Sequence, residues 1–262
     1  YCWETYALVA SWPIIHLRLT LSIVKGWKTR QIDFVMAYTQ AKAETDTMYM
    51  QIPPGFEVPG SQKGDYVLQI LQNICGQKQA GHVWNQHLVS KLQSVGFVQS
   101  QVDECVFYHG QAIYVLYTDD SILAGPSDKE LTKIISHMKK AQLNILVEGD
   151  ISDFLGVNID RKTDGSIHLT QPQLISHILQ DLRVHHPTMA TKDKPAKANQ
   201  LLWCLQEEED FDNHFDYHSI MGKLNYLEKS THPDISFAVH QSAWFVANPK
   251  KEHGKALNWL GQ

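Results

Sequence analysis

The chain has 262 residues, of which 43% are hydrophobic and 19% charged, and its 28 acidic residues outnumber 23 Lys and Arg for a net charge of −5. This is the composition of a globular protein that can bury a sizeable core. The four cysteines are scattered without CxxC spacing, which argues against a disulfide framework or a zinc knuckle. The sequence shows no signal peptide and no apolar run of membrane-spanning length, so we expect an intracellular protein without a membrane partner.

The first part of the chain holds one acid in a strand-like setting. Residues 11–24 are dense enough in apolar side chains for a helix. Residues 27–38 then place Asp33 among strand formers. Two interpretations stay open for Asp33: the N-cap of a helix over residues 34–41, or a metal ligand at the end of a strand.

Two adjacent carboxylates, Asp119 and Asp120, interrupt apolar runs at 112–116 and 122–124. The spacing predicts a β-hairpin with a tight turn over residues 118–120, and a Gly125-Pro126 break after the second strand. Two like charges side by side are unfavourable unless a cation offsets them. If Asp33 faces this turn from a neighbouring strand, the three acids suit a pair of metal ions about 3.5–4 Å apart.

Helices and strands alternate irregularly through the rest of the chain. Helices are predicted over residues 78–95, 127–140 with Ser127 as N-cap, 173–182, 219–227 and 235–246. Strands are predicted over residues 106–108, 113–117 and 166–170. Residues 192–216 are polar and acidic and are the best linker candidate. This order favours an α+β fold over a doubly wound sheet.

Ordered motifs extend along nearly the whole chain. They are Gln31-Ile32-Asp33 with Ala37-Tyr38, MQIPPGF at 50–56, GQKQA at 76–80 with Trp84, Tyr117-Thr118-Asp119-Asp120, FLGVNI at 154–159, YHSIMG at 217–222, THPDI at 231–235 and FAV at 237–239. In order and spacing this set resembles the reverse transcriptases of copia-type LTR retrotransposons, which are RNA-directed DNA polymerases.

The resemblance implies a right-hand polymerase fold. Its antiparallel palm sheet would be backed by helices. Residues 1–160 would form part of the fingers and the catalytic palm. Residues 161–262 would form the thumb and connection region, with the acidic linker near 192–216 and no ribonuclease H domain.

The resemblance also implies template-directed nucleotidyl transfer with two Mg²⁺ ions, for which Mn²⁺ is a possible substitute. Asp33, Asp119 and the backbone carbonyl of Phe34 would hold the ions. Asp120 would supply further negative charge or alternate as a ligand.

Other residues are carried over to substrate contacts. Tyr38 would collide with a ribose 2′-hydroxyl, although a plain core tyrosine is the alternative. Lys78 and Gln79 would lie near the incoming nucleotide. Phe154, Leu155 and Gly156 would contact the primer terminus, although an ordinary strand end is the alternative.

The expected partners are an RNA or DNA template with its primer, dNTPs, and the ribonuclease H and integrase parts of a polyprotein of which this chain is expected to be a fragment. The full element would act in cytoplasmic virus-like particles with access to the nucleus.

A second hypothesis comes from charge. Proteins that track nucleic acid usually carry excess Lys and Arg, whereas this chain is acidic. His82, His218, His232 and Trp244 stand where the family pattern has Arg, and their codons are one transition from CGN. The chain would then be a catalytically inactive remnant worn by CpG deamination, acting at most as a nucleic-acid or protein interaction module. The encoding DNA tests this hypothesis: across related copies, CAC, TGG and CAG codons should be commoner than chance at these positions.

Overall fold

The computed structural model describes residues 9–43, 48–56, 59–60, 64–184, 191–197, 201–203 and 209–262. The chain divides into two compact units, Tyr1–Ile151 and Ser152–Gln262. The assignment of the chain to fingers, palm and thumb, with a division at residue 160, stays a prediction.

The first unit consists of helices and antiparallel strands. In chain order its elements are α1 (Trp12–Val24), β1 (Lys28–Phe34), a 3₁₀ turn (Ala37–Gln40), β2 (Tyr49–Gln51), β3 (Val67–Gln69), α2 (Ala80–Ser94), β4 (Val98–Gln99), β5 (Val106–His109), β6 (Ala112–Tyr117), β7 (Asp120–Gly125), α3 (Asp128–Lys140) and β8 (Ile145–Val147). Six strands form one sheet in the order β4-β5-β6-β7-β1-β8, and β2 pairs with β3.

Helices α2 and α3 cover the six-stranded sheet. Fully buried Trp84, Leu88 and Leu92 of α2 join the same hydrophobic cluster as Ile32 of β1 and Leu123 of β7. The predicted α+β fold with an antiparallel sheet backed by helices is therefore confirmed, since every strand pair of this sheet is antiparallel.

The sequence of α3 explains both its ends and its buried face. The hydroxyl of Ser127 accepts a hydrogen bond from the Glu130 N–H at 3.3 Å, as an N-cap does. Acidic side chains occupy the first turn and basic ones the last, which complements the helix dipole. Leu131, Ile134 and Met138 recur at helical spacing and are buried. The prediction of a capped helix over residues 127–140 is confirmed.

The second unit has a small sheet and four helices among the residues described. Its elements are β9 (Asp153–Phe154), β10 (Val157–Arg161), β11 (Ile167–Thr170), α4 (Pro172–Asp181), α5 (Tyr217–Ser230), a 3₁₀ turn (Pro233–Ile235), α6 (Ser236–Ala243) and α7 (Lys251–Leu260). Strand β10 lies between β11 and β9. The helices pack around Ile220, Leu224, Val239 and Leu257, which are at most 3% exposed.

The other helix predictions agree with α1, α2, α4, α5 and α6 to within a few residues, while α7 was not predicted. Phe211 and Phe215, inside the predicted linker, are buried in the second unit's core. Residues 198–200 and 204–208 of that stretch lie outside the described residues. Within the ranges that the structure describes, no helix combines the length and apolar character needed to cross a bilayer.

Candidate active site

Strand pairing places two of the predicted acids beside each other. Strands β1 and β7 are antiparallel, and their register runs from Lys28 opposite Gly125 to Asp33 opposite Asp120. Asp33 is thus a strand residue, and the alternative of a helix N-cap at Asp33 is wrong. The next helical turn begins only at Ala37, after Met36 in the left-handed region. Strand-forming residues on both sides of Asp33 explain this outcome.

The third acid lies in the turn between β6 and β7. Because Tyr117 pairs with Asp120, the turn consists of Thr118 and Asp119 alone, and Asp120 is the first residue of β7. The predicted turn over residues 118–120 was therefore one residue too long. Asp119 is exposed, whereas Asp33 and Asp120 are partly buried at the strand ends. The three carboxylates thus lie at one end of the paired strands β1 and β7.

Two hydrogen bonds join the strand of Asp33 to the hairpin in addition to the β1–β7 backbone ladder. The backbone N–H of Phe34 donates to the carbonyl of Asp119 at 3.1 Å. Deeper in the sheet, the buried hydroxyl of Ser121 donates to the carbonyl of Ile32 at 2.9 Å. The backbone on both sides of the acids is therefore fixed.

A buried tryptophan also contacts this turn. The indole N–H of Trp84 donates to the carbonyl of Thr118 at 3.1 Å. Its ring packs edge-to-face on Phe34, with ring centroids 5.1 Å apart. Sequence reasoning identified Trp84 only as a motif and helix residue, because no local signal connects it to a turn 34 positions away.

Tyr38 lies on the short 3₁₀ turn that follows β1 and packs against the core. Partial burial raises the pKa of its phenol, and the neighbouring Asp119 and Cys75 raise this pKa further. Tyr38 is therefore within electrostatic range of the turn that carries Asp119. The amide of Gln40 holds this segment by donating to the carbonyls of Val35 at 2.9 Å and Asn144 at 3.0 Å.

Lys78 and Gln79 immediately precede α2, the helix that carries Trp84. Lys78 is exposed, and the side-chain amide of Gln79 donates to the sulfur of Met48 at 3.4 Å. Little more than one helical turn separates Gln79 from Trp84. The loop is thus connected to the acidic turn through a rigid element.

Phe154, Leu155 and Gly156 belong to the second unit, where they form the end of β9 and its turn into β10. Phe154 is fully buried, Leu155 is partly buried and Gly156 is exposed. Only the two turn residues therefore present surface to a ligand. The carbonyl of Leu155 accepts a hydrogen bond from the Tyr226 hydroxyl at 2.6 Å.

The donor chemistry at the β1–β7 edge fits a hard cation, because carboxylate and carbonyl oxygens are what Mg²⁺ prefers. Within the residues described, no three His, Cys, Asp or Glu side chains are arranged to hold a metal ion by themselves. Mg²⁺ is commonly bound by one or two carboxylates, with waters and substrate phosphates as its other ligands. The residues present thus fit an ion that a substrate helps to bind.

Comparison with known proteins gives a consistent family. The model of the reverse transcriptase (RNA-dependent DNA polymerase) family matches residues 1–195. Over 97% of its length the chain is 31% identical to the retrovirus-related Pol polyprotein from transposon RE2 of Arabidopsis thaliana. It is 27% identical to that from transposon TNT 1-94 of Nicotiana tabacum over 98% of its length.

The chain spans 17% and 20% of these two polyproteins. It also matches 67% of a transposon Ty5-1 protein of Saccharomyces cerevisiae, with 28% identity over 79% of this chain. An alignment with a telomerase structure from Candida albicans covers 98% of this chain and 45% of the telomerase chain. Its TM-score of 0.28 and its 10% identity are too low to bear on the fold. The family match and the Pol polyprotein relatives confirm the resemblance read from the motifs, and the chain belongs to the reverse transcriptase (RNA-dependent DNA polymerase) family.

Proposed function

We propose that this chain is the polymerase region of a retrotransposon Pol polyprotein and adds deoxynucleotides to a primer 3′-hydroxyl as an RNA or DNA template directs. The observation that carries the proposal is the pairing of Asp33 with Asp120, together with the hydrogen bond from Phe34 N–H to the Asp119 carbonyl. These contacts bring three acids from two distant motifs to the same end of the paired strands β1 and β7.

Asp33, Asp119 and the Phe34 carbonyl are the ligands we assign to two Mg²⁺ ions, with Mn²⁺ as a possible substitute. When bound, such ions lower the pKa of the primer hydroxyl and neutralise charge on the triphosphate and the departing pyrophosphate. Asp120 adds negative charge beside Asp33, which strengthens the attraction of the site for cations.

Tyr38 is assigned to the sugar of the incoming nucleotide. A tyrosine phenol is neutral at neutral pH, so the ring presents bulk rather than charge to a ribose 2′-hydroxyl. Lys78 and Gln79 are assigned to the incoming dNTP, where the exposed ammonium of Lys78 can reach phosphate oxygens. Leu155 and Gly156, with Phe154 buried beneath them, are assigned to the primer.

The relatives are Pol polyproteins, which supports a polyprotein context for this chain. We assign the chain to a polyprotein that also carries ribonuclease H and integrase parts. We place the full element in cytoplasmic virus-like particles that gain access to the nucleus.

Primer extension tests the proposed function. The purified chain is given poly(rA)/oligo(dT), dTTP and either Mg²⁺ or Mn²⁺, beside an Asp119→Ala, Asp120→Ala double variant and an Asp160→Ala control. Asp160 is an exposed residue of β10 in the second unit. Extension should require a divalent ion, disappear in the double variant and persist in the control.

Circular dichroism and thermal unfolding establish that each protein is folded. A chain that unfolds cooperatively but extends no primer with either ion contradicts the proposed activity. That result would instead support the inactive remnant, in which the three acids persist without catalysis.

A further inference from the structure

We infer that Trp84 is a positioning residue for the acidic turn: its indole N–H, donated to the carbonyl of Thr118, fixes the direction in which Asp119 presents its carboxylate. Trp84 does not touch the reacting atoms; it acts through the backbone of the turn. The inference rests on the proposed function, because it assigns a role to Trp84 in holding a metal ligand.

Thr118 adopts an unfavourable backbone conformation. Its φ is +54°, in the left-handed region where a β-branched residue is an outlier. A residue in this region persists only where its surroundings hold it there, and such residues concentrate at functional sites. The indole hydrogen bond to the Thr118 carbonyl is a contact that can hold it, because it comes from a different element of the fold.

The turn is held from two sides. Both of its carbonyls accept hydrogen bonds from outside the hairpin: Thr118 from the indole of Trp84, and Asp119 from the backbone N–H of Phe34. With both peptide groups fixed, the Cα–Cβ direction of Asp119 is fixed as well. Loss of either bond frees one end of a two-residue segment that carries a proposed ligand.

Trp84 is itself held rigidly. It is 1% exposed, its ring contacts Phe34 edge-to-face at 5.1 Å, and it stacks on His87 at 6.0 Å. Leu88 and Leu92, on the following turns of α2, are fully buried in the same cluster. A donor with so little freedom can orient a site more accurately than a solvent-exposed side chain can. Phe34 follows Asp33 in β1, so the indole of Trp84 contacts the side chain next to Asp33 as well as the backbone of the turn that carries Asp119.

Trp84→Phe tests the inference, because phenylalanine keeps an aromatic ring in the core and removes only the N–H and the second ring. Mn²⁺ affinity is measured by electron paramagnetic resonance from the fraction of free ion, with dTTP and a primer–template whose primer lacks the 3′-hydroxyl, because the substrate supplies part of the ion's ligands. Wild type should bind Mn²⁺ in a manner that depends on Asp119, and Trp84→Phe should bind about 10–100-fold more weakly. In primer extension the turnover number should fall by a similar factor, with a smaller change in KM for dTTP.

Leu88→Ala is the matched control. It removes buried volume from the same helix, but leucine has no polar atom to donate to the turn. It should lower the unfolding temperature at least as much as Trp84→Phe, yet leave Mn²⁺ affinity unchanged. If both variants weaken Mn²⁺ binding equally, core packing alone accounts for the effect and the positioning role of Trp84 is overturned.

A second measurement needs no variant of Trp84. In a ¹⁵N spectrum of the wild-type chain with the same primer–template and dTTP, the indole N–H resonance of Trp84 should shift on addition of Mg²⁺, whereas that of Trp27, which precedes β1 at the end away from Asp33, should not. The shift should vanish in Asp119→Asn. An indole resonance that ignores Mg²⁺ while Mn²⁺ binding still depends on Asp119 overturns the inference and leaves the proposed function standing. Absence of any Asp119-dependent ion binding overturns both.

Discussion

The β6–β7 hairpin of the first unit and the β9–β10 hairpin of the second both have tight two-residue turns, and these turns differ in backbone geometry. In the β9–β10 hairpin both turn residues have positive φ, Leu155 at +52° and Gly156 at +73°, as the favoured type I′ turn requires. In the β6–β7 hairpin only Thr118 does, at +54°, and Asp119 follows it. In each case the first turn carbonyl accepts a hydrogen bond from an aromatic side chain on a helix, Tyr226 or Trp84.

The difference lies in what each turn carries. The Leu155-Gly156 turn places its glycine where the backbone needs one and carries no charged side chain. The Thr118-Asp119 turn contains no glycine, holds a β-branched residue in the left-handed region and carries a carboxylate beside two others. Unfavourable backbone geometry and unfavourable charge coincide there, which is the usual condition of a functional site.

The largest effect is expected from removing the charge of Asp33, which lies on β1 opposite the first residue of β7. Asp33→Asn should reduce the rate of primer extension by about 10³-fold or more, because an amide replaces an anionic ligand with little change in shape. Asp160→Asn, in the strand of the second hairpin, should keep the wild-type rate. Equal rates in the two variants would contradict the assignment of Asp33 as a metal ligand.

The next largest effect is a loss of stability from backbone strain in the Leu155-Gly156 turn. Gly156→Ala should lower the free energy of unfolding by about 1–2 kcal/mol, because a Cβ is disfavoured at φ +73° although no atom lies within 4 Å of it. Gly222→Ala, on the exposed side of α5 with the same open surroundings, should instead raise it by about 0.8–1 kcal/mol. Urea unfolding checks both, and a gain in Gly156→Ala like that of Gly222→Ala would contradict the strain argument.

Tyr226→Phe measures the aromatic hydrogen bond to the second turn. Deleting the hydroxyl leaves the Leu155 carbonyl without this donor and should lower the free energy of unfolding by about 1 kcal/mol. Tyr108→Phe, at an exposed position of β5, should change it by less than about 0.5 kcal/mol. A similar small change in both would mean that the Tyr226 bond does not stabilise its turn.

The smallest effect is a gain in stability at the Thr118-Asp119 turn. Thr118→Asn should raise the free energy of unfolding by about 0.5–1 kcal/mol, since asparagine tolerates the left-handed region better than a β-branched residue. Thr163→Asn, at an exposed position without positive φ, should produce no gain. Thermal unfolding compares them, and no difference would show that Thr118 is not strained.

Local patterns predicted the elements that carry the site better than they predicted its assembly. The apolar runs around Asp119 and Asp120 predicted the hairpin, and the Ser127 cap predicted α3. The register that sets Asp33 opposite Asp120 depends on pairing between residues 87 positions apart, for which no local signal exists. The φ of Thr118 was equally inaccessible, because threonine does not indicate a left-handed turn as glycine does.

The most direct test of the central claim, that Asp119 binds the catalytic metal, is a change of metal preference. Asp119→Cys is made in a Cys75→Ser background, so that the exposed thiol near Tyr38 does not compete. Thiolate binds Mg²⁺ poorly and softer ions well. Primer extension by the variant should be lost in Mg²⁺ and partly restored by micromolar Cd²⁺, whereas Asp119→Ala should not recover. The claim would be contradicted if Cd²⁺ restored extension in neither variant, or if Asp119→Cys extended primers in Mg²⁺ as fast as the protein with Asp119.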